Sequence, residues 1–89
     1  MCRSIKVLFN FEPPVTHDEI QAAALQFVRK VSGFNKPSKA NAEAFQAAVD
    51  GVTAISSTLL RSLQTQAAPR NREQEAAAAR ARGLARFAR

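Results

Sequence analysis

An 89-residue chain has room for one domain, and with a single cysteine, Cys2, it can close no disulfide within itself. One cysteine and one histidine, His17, likewise cannot supply the four ligands of a Cys/His zinc site. The net charge of +6 is uneven: residues 67–89 carry six arginines against Glu73 and Glu75, whereas residues 1–66 carry seven basic and five acidic side chains. Such asymmetry favours polyanionic partners, either nucleic acid or an acidic protein.

The segment from Ser4 to Phe11 has two readings. Ile5, Val7, Phe9 and Phe11 alternate as in a strand, while Ile5, Leu8 and Phe9 also fit a helical turn capped by Ser4. With no other strand-like run to pair with, the expectation is a short helix or an irregular apolar arm. Glu12-Pro13-Pro14 ends it, because a residue before proline is pushed out of the helical region. Val7-Leu8-Phe9 is too short for the apolar region of a signal peptide, and no run approaches a membrane span. The expectation is a cytoplasmic protein with no membrane partner.

Thr16 and Glu19 have the spacing of a capping box, so the first helix starts there. Ile20, Ala23, Ala24, Phe27, Val28 and Val31 then form one apolar stripe. Arg29 and Lys30 suit the negative end of the helix dipole, and Gly33 supplies the stop.

A loop through Phe34 to Pro37 leads to a second helix capped by Ser38 or Asn41. Phe45, Val49, Val52, Ile55, Leu59 and Leu63 trace its seam, widened by Ala48 and Leu60. Gly51 is either tolerated at mid-helix or marks a kink or a close backbone crossing. At about 25 residues and ~38 Å, this helix outruns the ~24 Å of the first. The excess around Leu59, Leu60 and Leu63 must be covered by the N-terminal arm, by a second protomer, or by both. A homodimer through the second helix follows as one expectation.

Beyond Pro69, Asn71 and Gln74 can cap a third helix rich in alanine and arginine. It has almost no apolar face, and Arg82, Arg86 and Arg89 share one side of it. The fold class is therefore all-α: a two-helix antiparallel core with an apolar N-terminal arm or short helix, and a basic C-terminal helical tail. The division falls between a helical core domain at 1–66 and an Ala/Arg-rich basic tail at 67–89.

Cys2 and His17 could act together only if the fold brought them into contact. No glycine-rich phosphate loop, paired-carboxylate site or metal spacing is present, so no catalytic, cofactor or metal residue is assigned. The turn is more informative. Arg29, Lys30, Lys36 and Lys39 bracket it, with no acidic residue between Glu19 and Glu43. Lys36 and Lys39 flank a helix start, where free N–H groups favour an anion. The plain alternative is that two of these cations complement a helix C-terminus and the others are simply solvated. The turn from Val31 to Lys36 also resembles, distantly, a helix-hairpin-helix DNA motif, with Asn35 where that motif takes glycine.

Met1-Cys2-Arg3-Ser4-Ile5, Phe11-Glu12-Pro13-Pro14, the run from Val28 to Phe34, Lys36-Pro37-Ser38 and the stretch from Pro69 to Glu75 together resemble a small bacterial family of uncharacterised proteins. The likeness covers essentially the whole chain, with Ser4 where family members have asparagine. It implies a bacterial origin, a complete protein and a domain of unknown function, and it transfers no activity or site.

The expected function is thus a non-enzymatic basic helical module that binds nucleic acid or another polyanion through Arg29, Lys30, Lys36, Lys39, Arg82, Arg86 and Arg89. The alternative is a small helical protein-interaction module, homodimeric through the second helix, with no nucleic-acid role.

Overall fold

The computed structural model describes residues 5–87. Helix α1 spans His17–Ser32 and opens on the capping box: the Glu19 amide donates to the Thr16 hydroxyl at 3.3 Å, and the Thr16 amide donates to Glu19 Oε1 at 3.0 Å. It closes on Gly33, at φ 78°, whose N–H reaches the Arg29 carbonyl at 2.9 Å. That left-handed conformation is open to glycine at little steric expense. A short 3₁₀ turn, Lys39–Asn41, then feeds helix α2, Ala42–Ser62. Neither Ser38 nor Asn41 caps a backbone amide here; instead the Asn41 side-chain amide donates to the Ser38 hydroxyl at 2.9 Å.

The two helices meet along a narrow line. Ile20, Ala24 and Val28 of α1 are buried, as are Val49 and Thr53 of α2, with Leu25, Phe45 and Val52 packed at the edge. The α1 stripe expected from sequence is wider than the buried one: Phe27 is 47% exposed and Val31 is 71% exposed. One partner helix can bury only the i, i+4, i+8 row that faces it, and among the described residues no third layer covers the flank. In α2, Ile55 at 74% exposure and Leu59 at 54% leave the expected seam for the same reason.

Thr53 takes the inward place that the seam reading had not given to any polar residue. Its hydroxyl donates to the Val49 carbonyl at 2.7 Å, one turn back, and so enters the core with its polarity satisfied. Gly51 is exposed, with open space where a side chain would project, so no backbone crosses it.

The N-terminal arm is irregular rather than helical, and it does find a strand partner. Strand β1, Phe11–Glu12, pairs in parallel with β2, Arg70–Asn71, in the register Phe11 to Arg70 and Glu12 to Asn71. The expectation that no second strand existed is corrected here. A two-residue partner after Pro69 has no periodicity to betray it. Asn10 makes the join, at φ 66°, a conformation asparagine tolerates better than most residues. Its carbonyl accepts the Arg70 N–H at 2.6 Å, and its side-chain amide donates to the Ala68 carbonyl at 3.0 Å. The Ser4 cap lies outside the described residues.

Helix α3, Arg72–Phe87, begins on an Asn71 cap whose Oδ1 accepts the Gln74 N–H at 2.8 Å. From Glu73 to Arg82 it is exposed, as its lack of an apolar face requires. Among the described residues no helix is long and apolar enough to cross a membrane.

Candidate polyanion-binding surface

The turn between α1 and α2 places its four cations differently. Arg29 and Lys30 share a shallow depression of 480 Å³ with Gln26, Gly33 and Asn35. Arg29 is partly committed there: its Nε donates to the Asn35 carbonyl at 3.1 Å, which pins the loop to the end of α1. Lys36 and Lys39 stand outside the depression, both exposed, at the entrance to α2. Among the described residues the ion pairs are Arg70–Glu75 and Arg72–Glu19, so none of the four turn cations is neutralised by a carboxylate.

The likeness of this turn to a helix-hairpin-helix motif does not survive the geometry. Gly33, not Asn35, carries the left-handed conformation, and Asn10 is the non-glycine residue with positive φ among the described ones.

A second cationic surface was not anticipated. Where the arm meets the root of α3, Lys6, Arg70, Arg72 and Arg82 border a groove of 520 Å³, together with Glu19 and Glu75. Arg70 contacts Glu75 at 3.8 Å, and its guanidinium lies over the Phe11 ring, 6.0 Å from the centroid, at the outer limit of a cation–π contact. Arg72 pairs with Glu19. The Thr16 backbone N–H, and then the hydrogen bond and charge of Arg72, hold the Glu19 carboxyl below its ordinary 4.5 despite some desolvation. Lys6 and Arg82 are the groove cations without a carboxylate partner among the described residues.

Only the pairing of β1 with β2 brings Lys6 towards Arg70 and Arg72, so the groove required knowledge of a contact almost sixty residues apart in sequence. The one advance signal was the closeness of Arg70 and Arg72 to Pro69. Of the expected tail residues, Arg82 lines this groove, Arg86 lies within α3, and Arg89 lies outside the described residues. Cys2 also lies outside them, so its pairing with His17 has no geometry to report.

No curated protein and no solved structure matches the chain. Residues 1–78 match a family described as an uncharacterized conserved protein, DUF2277, which spans both helices of the core, the β1–β2 join and the first part of α3. The chain belongs to the DUF2277 family of uncharacterised conserved proteins.

Proposed function

We propose that this protein is a non-enzymatic basic module that binds a polyanion, with nucleic acid as the favoured partner and an acidic protein surface as the other member of that class. The observation that carries the reading is the state of the α1–α2 turn. Lys30, Lys36 and Lys39 are exposed, and no carboxylate pairs with them among the described residues. Exposed ammonium groups gain little from isolated surface pairs. They gain more from a dense row of phosphates, because each contact releases condensed counterions.

The start of α2 adds to this, since neither Ser38 nor Asn41 caps its first amides. Arg80, Arg82 and Arg86 fall within α3 and extend the positive charge along it. Contacts of this kind position a protein on phosphates without reading bases, so sequence preference is slight. The test is fluorescence anisotropy with labelled single- and double-stranded oligonucleotides between about 50 and 200 mM salt. Binding that weakens by orders of magnitude over that range supports the reading, and absence of binding at the low end removes it.

A second reading rests on a different observation. Val52, Ile55 and Leu59 of α2 and Leu63 at its C-cap follow one another at spacings of three and four, and the last three are exposed. An uncharged flank of this kind suits a homodimer through α2, with the surface charge serving solubility. Sedimentation equilibrium at micromolar concentration decides it: a monomer eliminates the dimer.

A further inference from the structure

The arm does more than tie down the start of α3. Between it, the beginning of α1 and the end of α2 lies a cavity of 360 Å³, walled by Leu8, Phe9, Phe11, Ile20 and Leu60. That volume sits at the lower end of the range for small-ligand sites, about 300–1,000 Å³. The cavity exists because an irregular arm cannot interdigitate with α2 as a third helix would. Leu8, Phe9 and Phe11 line it together with Ser57 and Leu60 and leave the space between them unfilled.

Among the described residues Arg61 is the one charged side chain that lines the cavity; the other polar groups there are Asn10, His17 and Ser57, and no carboxylate takes part. Arg61 has no ion-pair partner among the described residues, and its one hydrogen bond there is a 3.5 Å contact to the Thr58 hydroxyl. Its planar guanidinium therefore keeps the donors that grip a carboxylate two at a time.

An apolar chamber with one open guanidinium at its wall complements a ligand with an apolar body and a single acidic head. We propose that this cavity binds a small amphipathic monocarboxylate of the medium-chain fatty acid type. The carboxylate sits on Arg61, and the chain lies against Leu8, Phe9 and Leu60. A phosphodiester chain does not fit this description, because its hydrated charges would face an apolar wall. The site adjoins the α3 groove through Leu8, Phe11 and Val15, but its guanidinium is Arg61 rather than a groove cation, and it shares no residue with the turn depression. It stands or falls independently of the turn cations that carry polyanion binding.

The experiment is calorimetric titration of the full chain with octanoate and with octanamide, its neutral counterpart, alongside amide chemical-shift mapping. Octanoate should bind saturably, with shifts gathered at residues 8–20 and 57–61, and octanamide should bind about tenfold more weakly. Arg61→Gln alters an exposed side chain and should remove most of that difference, weakening octanoate far more than octanamide. Ser57→Leu, which fills the chamber and leaves its charge alone, should abolish binding of both. The proposal is overturned by absence of saturable octanoate binding, by equal affinity for the two ligands, or by octanoate affinity that either variant leaves unaltered.

Discussion

The Glu19 carboxylate is shared between Thr16 and Arg72, so the cap of α1 and the root of α3 form one electrostatic unit. The pair links residues 53 positions apart across two helices that otherwise make little contact. Because the folded state depresses the Glu19 pKa, the stabilisation is present above the ordinary value of 4.5 and is lost as pH falls through the lower, folded value. Thermal melts between about pH 5 and pH 3 should therefore decline less steeply in Glu19→Gln than in the parent. Equal slopes would mean that the pair contributes nothing to folding. Thr16→Ala, which removes the other half of the cap, should cost about 1 kcal/mol at neutral pH.

Gly33, at the end of α1, and Gly51, in the middle of α2, should respond to alanine in opposite directions. Gly33→Ala places a side chain on a residue held at φ 78° and should destabilise the domain by about 1 kcal/mol. Gly51→Ala meets open space on an exposed helix surface and should stabilise it by about 0.8 kcal/mol. Urea titrations of both variants measure the pair. A stabilising Gly33→Ala would contradict the left-handed cap.

Val28 and Val31 belong to the same helix and differ in what they face. Val28 is buried at 7% exposure in the core cluster, whereas Val31 is 71% exposed. Val28→Ala should lose about 1.5–2 kcal/mol, two methyl groups and the gap they leave. Val31→Ala should stay within about 0.5 kcal/mol. Equal losses in denaturant melts would require a layer over Val31 that the two-helix packing does not supply.

The contrast shows what the sequence could and could not yield. Both ends of α1, the Asn71 cap of α3 and the all-α class were readable, because capping and helix periodicity are local and their signals lie within a few residues. The width of the buried stripe was not, since Phe27, Val31, Ile55 and Leu59 look like core residues until the number of covering layers is known. Thr53 was hidden by its chemistry, and β2 by its two-residue length. At the candidate site, the turn cations were apparent from the gap between Glu19 and Glu43. The groove with Lys6, Arg70 and Arg72 depended on a distant pairing, in which Asn10 to Glu12 meet Arg70 and Asn71.

Truncation separates the stitching role of β2 from the charge of α3. Removing residues 73–89 retains Arg70 to Arg72, so the amides around Asn10 to Glu12 should stay protected from hydrogen exchange and the core should melt as before. Removing residues 70–89 also deletes the partners of β1, and that protection should vanish. Both truncations should bind oligonucleotides with a shallower salt dependence than the full chain, because Arg80, Arg82, Arg86 and Arg89 are gone. Protection that survives the longer deletion would show that the arm is held by α1 and α2 alone.

The central claim is that the unpaired cations of the α1–α2 turn neutralise phosphates. The most direct measurement is the slope of log affinity against log salt on duplex DNA, for the parent and for Lys36→Ala/Lys39→Ala. If both lysines contact phosphates, the double variant should lose about 1.8 from the slope, which is two counterion-releasing contacts at ~0.9 each. Its melting temperature should be unchanged, because neither exposed side chain makes an ion pair among the described residues. A slope identical to that of the parent, or no duplex binding at about 50 mM salt, would contradict the claim.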